Sequence, residues 1–467
     1  MYTPHWLRYL RLFLFFLVSF LFTSCLTYYQ KNLDFQNKFE GGKIEEAEKL
    51  LAKIKEKHLR KTLIIQKLNQ GVISSLLSKY EESNRYFEEA YLIGEDYQRN
   101  YANEAASFLL NPNFVVYKPE SHELMMIHYF KAINYLKLGL TNDALIEAKR
   151  MNIKLQQFND KYTSDKKLKE DAFAHNLMGI IYQANGDFNN AFIAYRNAYN
   201  VYQDEYAKFF KLSAPEQLKN DLLNAAYKTG LNEEVTFYEK QFGYKFKPAD
   251  SKGKGDAILF WNDGLGPVKD QNAINFVLVR GQGGMFNFQN EELGLSFPFF
   301  ISESDYQSQG FGDLQVYRVA FPKYVERPLA FTGATLNVGG VSNQLQLAQD
   351  INQIAFKGLK DRMLTELGKS LLRFAAKKAL EYQVRKQNQN VGAVLGIFDA
   401  LTENADTRNW QTLPHSVYYT RVSLPEGTHS AALQTNGQYG NKTANLTFDI
   451  SSGRTSFYTY NSLEYLK

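Results

Sequence analysis

This chain of 467 residues has no second cysteine, so no intrachain disulfide can form and its core alone must hold the fold. After residue 25 it also has no uninterrupted apolar stretch of the roughly 18 residues that a membrane-spanning helix needs. A strong charge bias is missing too. A net charge of +5 is too weak to argue for nucleic acid, so no nucleic-acid partner is expected. The seven histidines, at 5, 58, 122, 128, 175, 415 and 429, never fall in a His-Glu-x-x-His spacing, and His122 and His128, six apart, read as ordinary surface or core residues. Gly368-Lys369-Ser370 looks like the end of a phosphate loop, but Met363 stands where the earlier glycine belongs and the pattern around it is helical. The cluster Arg280-Gly281-Gln282-Gly283-Gly284 lacks the full dinucleotide spacing, and no Gly-x-Ser-x-Gly elbow occurs. No metal, cofactor or enzymatic activity is therefore expected. A hydrolase working through two carboxylates far apart in sequence stays as a third reading, because such a pair leaves no spacing signal.

The segment 1–25 carries the most information. Arg8 and Arg11 precede an apolar run at 12–22, of signal-peptide length and too short to span a bilayer, and then come Thr23, Ser24 and the single cysteine, Cys25. This arrangement resembles the bacterial lipoprotein signal, with Phe22 in the place usually held by leucine. The resemblance implies removal of 1–24 and acylation of Cys25, with palmitate-type chains each contributing about 0.8 kcal/mol per buried CH₂. An uncleaved signal anchor is the alternative, and it also places the rest of the chain outside the cytoplasm. Leu26 after the cysteine favours the outer membrane, and the absence of an acidic cluster at 27–35 favours a periplasm-facing orientation.

Residues 30–245 read as an all-α solenoid of about ten helices. The clearest repeat lies at 172–203, where Gly179, Tyr182, Gly186, Ala191, Tyr195 and Ala198 occupy the small and aromatic positions of a tetratricopeptide repeat. Small residues let two antiparallel helices approach and the tyrosines fill the gap between them. Weaker copies run through Gly41-Gly42, Ala47, Leu51 and Ile54, through Gly71, Tyr80, Ser83, Phe87 and Ala90, through Tyr135, Gly139, Ala144 and Ala148, and through Tyr227, Gly230 and Val235. A stack of such repeats is expected to leave a concave surface free for a partner, or else to act as a spacer.

The expected fold class is α+β and multidomain: a tetratricopeptide-like solenoid over 26–245, a polar linker over 246–256, and an α+β domain over 257–467. Within that last domain strands are expected at 257–340, helices at 345–400 and strands at 415–462, ending in a β-sandwich-like module. Between 351 and 390 nine Lys and Arg face three acids, the pattern of a basic amphipathic helix that covers a sheet or lies on an acidic surface.

Three stretches, at 262–269, 319–324 and 405–414, the last reading Ala-Asp-Thr-Arg-Asn-Trp-Gln-Thr-Leu-Pro, resemble the signatures of a family of bacterial tetratricopeptide-containing envelope lipoproteins to which no biochemical activity is assigned. The resemblance implies a lipid-anchored, periplasm-facing protein near the peptidoglycan machinery. Read physically, Asn262-Asp263-Gly264 is a tight turn, and Asp406, Arg408 and Trp410 share one side of an extended chain. They either lock a loop onto a sheet or form a groove in which Arg408 holds an anionic group and Trp410 stacks on a sugar or peptide. The leading expectation is a non-catalytic, lipid-anchored scaffold that binds envelope proteins through its helical repeats, with a peptidoglycan- or carbohydrate-binding module as the alternative.

Overall fold

The computed structural model describes residues 27–54, 61–99, 115–159, 170–249, 251–280, 285–300, 316–387, 405–438 and 440–466. Cys25 and the whole signal segment lie outside these residues, as does the glycine cluster at 281–284. Among the described residues no helix is long and apolar enough to cross a membrane.

The first part of the chain is helical: α1 (Tyr28–Lys31), α2 (Leu33–Glu40), α3 (Ile44–Lys53), α4 (Leu63–Leu76), α5 (Tyr80–Arg99), α6 (Ser121–Lys137), α7 (Thr141–Asn159), α8 (Ala172–Ala184), α9 (Phe188–Val201), a π-helical turn (Tyr202–Tyr206), α10 (Ala207–Phe210), α11 (Glu216–Thr229) and α12 (Asn232–Phe242). The pairs α4/α5, α6/α7, α8/α9 and α11/α12 form helical hairpins. Two of them show why the repeat carries glycine in its first helix. A Cβ added to Gly71 would lie 2.6 Å from the Phe87 ring, and one added to Gly179 would lie 2.4 Å from the Tyr195 ring. In both, an aromatic ring sixteen positions on fills the room left by the missing side chain, which makes the hairpins tetratricopeptide-like in packing. Short turns close them, as at Gly186, where φ is +76° and the Asp187 carboxylate caps α9 by accepting the Asn190 N–H.

Strands follow: β1 (Lys254–Asp263), β2 (Val268–Arg280), β3 (Met285–Asn290), β4 (Leu295–Phe300), β5 (Val316–Val325), β6 (Phe331–Val338), β7 (Val341–Gln344) and β8 (Gln346–Asp350). A long helix α13 (Ile351–Gln387) precedes β9 (Ser416–Pro425), β10 (Gly427–Gly437), β11 (Lys442–Ile450) and β12 (Thr455–Ser462). They build three four-stranded sheets, ordered β12-β1-β9-β8, β11-β10-β6-β7 and β4-β3-β2-β5. In the first, β1 runs antiparallel to β9 and parallel to β12.

The chain forms two compact units. One gathers the described residues within Met1–Asp34, Lys269–Lys323 and Ala376–Arg408; the other gathers Phe35–Val268, Tyr324–Ala375 and Asn409–Lys467. These units do not divide at 246–256. The helical hairpins share a unit with the first two sheets, and Lys254 and Gly255, read as linker from their composition, already belong to β1.

In the smaller unit, β2, β3 and β4 form an antiparallel meander with β5 beside β2. Aromatics fill its buried face: Phe288 stacks on Phe299 at 4.7 Å and meets Tyr317 edge-on at 4.8 Å.

In the larger unit, the first two sheets face each other as a sandwich. Ala257, Leu259, Trp261, Tyr418 and Val422 from one sheet share a core with Phe331, Leu336, Leu433 and Phe448 from the other. The sandwich therefore draws its strands from 254–263, 331–350 and 416–462, and not from the C-terminal stretch alone. On β1 the alternate residues Phe260 and Asn262 face the helices, which is why this strand is buried on both sides.

Candidate functional site

Among the candidate ligand residues, Asp406 and Arg408 meet. The Arg408 guanidinium donates from Nε to Asp406 Oδ1 at 2.8 Å and from Nη2 to Oδ2 at 2.7 Å. Burial opposes ionisation of Asp406, but the Arg408 hydrogen bonds and charge outweigh it and hold the carboxyl below its ordinary range. The pair is a closed fork. Trp410 is turned into the helices and is 1% exposed. Its ring lies 5.7 Å from Phe87 and 5.8 Å from Phe130, its Nε1 donates to Thr412 Oγ1, and its backbone N–H donates to Glu123 Oε1 at 2.6 Å. Buried to this degree, the indole offers no stacking surface to a sugar.

This segment belongs to a larger pattern. Along the helical part, α2, α4, α6, α8 and α11 each turn a face to the chain's own later residues. From α2, Gln36 donates to Gln411 at 2.7 Å; on α4, Asn69 accepts from Thr412 at 2.9 Å; from α6, the Tyr129 hydroxyl donates to Asn262 at 2.8 Å. Phe173 of α8 meets Phe260 edge-on, and Asp221 of α11 pairs with Arg421 at 3.0 Å. The π-helical turn adds Tyr202, which donates to the Ala348 carbonyl at 2.6 Å, and Tyr206, which donates to Gln349 at 2.9 Å. The face expected to stay free for a partner is thus covered by β1, β8, β9 and residues 409–412.

An open groove of about 510 Å³ remains elsewhere on the helices, between α5, α6 and α7. A buried charge cluster forms its floor. Glu147 receives Lys131 Nζ at 2.8 Å and Arg150 Nη1 at 3.0 Å and lies 2.6 Å from His128 Nδ1, while Lys131 also reaches Glu88 at 2.5 Å. Burial disfavours the Glu147 carboxylate, yet the His128 hydrogen bond and Lys131 overcome it and bring its pKa down to about 2. Burial pushes the His128 pKa below the ordinary histidine range, Glu147 opposing, which keeps the imidazole neutral at neutral pH. Leu140 and Ile146 lie exposed at the rim, and Asn84, 7% exposed, lines the wall. The arrangement is ionically satisfied inside and apolar at the rim. Among the described residues no group of three His, Cys, Asp or Glu is placed to hold a metal ion.

Spacing arguments miss this groove because the charges that build it come from two hairpins. The available signal is that His128 and Lys131 sit three apart on α6 among Met125, Met126, Ile127 and Tyr129, an almost wholly apolar setting in which a buried cation requires a partner.

No protein-family model and no curated protein matches the chain. Solved structures do match. The apo form of RapI is 12% identical, with 46% of this chain and 68% of that one covered and a TM-score of 0.32. A putative kinesin light chain from Podosopora anserina with nearly identical TPR-like repeats is 14% identical, with 44% and 88% covered and a TM-score of 0.29. BtubC from P. vanneervenii is 14% identical, with 48% and 80% covered and a TM-score of 0.28. TM-scores of this size carry no functional argument, and the description of the hairpins rests on their own packing.

Proposed function

We propose that this chain is a non-catalytic scaffold of the bacterial cell envelope, anchored through acylated Cys25 on the periplasmic face of the outer membrane and binding a partner protein through its helical hairpins. The observation that carries the reading is the groove of about 510 Å³ between α5, α6 and α7, open and apolar-rimmed on helices whose other face the chain covers itself. A volume of this size falls in the range of pockets that hold ligands. Support for the anchor comes from the sequence at 1–25, and the partner class we favour, components of peptidoglycan assembly, follows the family resemblance of 405–414.

The test has two arms. A photo-crosslinking residue is placed at Ile146 on the groove rim and, as a control, at Phe237, which is also exposed. One envelope protein is expected to be trapped at Ile146 and not at Phe237; equal labelling at both positions would sink the groove as partner surface. Separately, Cys25→Ser should move the protein from the membrane fraction to the soluble one. Retention in the membrane would replace the lipid anchor with an uncleaved signal anchor.

A further inference from the structure

In the smaller unit the chain is fixed from Thr27 onward. Thr27 closes a capping box on α1: its hydroxyl accepts the Gln30 N–H, and its own N–H donates to the Gln30 side chain at 2.8 Å. The next N–H, that of Tyr28, donates to Thr407 Oγ1 at 2.9 Å. Thr407 stands between the two members of the Asp406–Arg408 fork, so the stretch expected as a groove for an anionic group clamps the start of the helical part. Cys25 lies two residues before Thr27. A fully extended chain advances at most about 3.6 Å per residue, which keeps an anchor at Cys25 within about 7 Å of this fixed point.

The clamp also selects a side of the sheet. The Ala405 N–H donates to the Gln271 side chain at 3.0 Å, so the loop is seated on the odd-numbered face of β2 near the start of that strand. Farther along β2 the same face is bare. Val277 and Val279 are exposed, whereas Ile274 and Phe276, on the even-numbered face, are buried. Val277 and Val279 stand opposite Gln289 and Asn287 of β3, which in turn stand opposite Ser296 and Pro298 of β4. None of these side chains is charged, and the exposed Met285 extends the row on β3.

We infer that this uncharged sheet face rests on the bilayer that holds the Cys25 acyl chains, with Val277, Val279 and Met285 entering the headgroup layer. A tether this short keeps the face beside the lipid at high effective concentration, so weak apolar contacts suffice, and none of these positions carries a charge that has to leave water. This rests on the acyl anchor proposed above and adds the surface through which the anchored chain meets the membrane.

Lipidation consumes the only native thiol, so a cysteine placed elsewhere becomes the single labelling site of the mature chain. Val279→Cys and Met285→Cys, each carrying an environment-sensitive fluorophore, are purified from membranes and reconstituted into vesicles of phosphatidylethanolamine and phosphatidylglycerol, with and without a spin-labelled lipid. Asn272→Cys, exposed on the even-numbered face of the same strand, is the control. All three positions are exposed, and thermal melts check that the labelled chains fold. The spin label should quench both test positions at least twofold more than the control. Equal quenching at all three, on chains whose acylation is verified by mass spectrometry, would overturn the docking face and leave the anchor standing. A Cys25 found without acyl chains would overturn both.

Discussion

Asp263 closes β1 with Oδ1 accepting the Ser462 hydroxyl at 2.7 Å, and its Oδ2 is buried without a hydrogen-bond partner among the described residues. Burial raises its pKa from 3.8 to about 7, against the lowering effect of the Ser462 hydrogen bond. In the unfolded chain the carboxyl ionises near 3.8, whereas in the folded one it holds its proton to about 7. The folded state binds the extra proton across that window, so its stability is full below pH 4 and declines as pH rises to 7. Asp263→Asn keeps an acceptor for Ser462 and removes the ionisation. Its melting temperature should match wild type near pH 4 and exceed it increasingly up to pH 7; an offset independent of pH would remove the argument. Glu147 runs the other way: with a pKa of about 2, it contributes stability above about pH 4.5 that is lost as pH falls towards 2. Neither behaviour was legible in the sequence. The turn read at 262–264 survives only in Gly264, with φ of +64°, while Asn262 and Asp263 end a strand. What raises the Asp263 pKa is burial under distant parts of the chain, with a serine nearly 200 residues downstream opposing it, and no local pattern reports such surroundings.

At the scale of elements, the glycine–ring pairs Gly71/Phe87 and Gly179/Tyr195 define how closely each hairpin closes. Alanine is the better helix former by about 1 kcal/mol, so an open helix face would gain from the exchange. Here the added Cβ overlaps a buried ring that is itself locked, since Phe87 stacks on Phe130 and Tyr195 donates to Gln183 at 2.9 Å. Overpacking of this kind costs about 1–3 kcal/mol. Gly71→Ala and Gly179→Ala should therefore each lower stability by roughly 1–2 kcal/mol in urea unfolding; a gain in either would mean that the rings yield easily. These pairs were readable from the sequence because sixteen residues is a local separation and the small–aromatic pattern recurs. The sheets were readable only as strands. Alternation marked 257–261 as extended, but the parallel pairing of Asp256–Asp263 with Thr455–Ser462 leaves no periodic trace.

At the scale of the whole molecule, the larger unit is one core shared by helices and sandwich. Residues 27–249 alone would uncover Tyr129, Phe173 and Tyr206 and strip partners from buried acids: Asp171, which accepts from Gln349 at 2.6 Å, and Asp221, which pairs with Arg421. Unpaired buried charge and bare aromatic surface together exceed the margin of an ordinary domain. The 27–249 fragment should bind a hydrophobic dye and lack a cooperative melt, whereas residues 26–467 should melt cooperatively; a sharp transition in the fragment would show that the solenoid is self-sufficient. The expectation of a free inner face failed for the same reason. Tetratricopeptide spacing specifies how helices pair with one another and is silent on which later segment lies against them.

The central strand β1 finds its two neighbours, β9 and β12, only about 150 to 200 residues later in the chain. Such long-range pairings are entropically slow to close. During synthesis the helices emerge first and must wait, with their aromatic inner face uncovered, until residues 409–462 arrive. The interval between the first hairpin and the last strand is therefore the period in which this chain is most exposed to aggregation and most dependent on a chaperone that shields apolar surface.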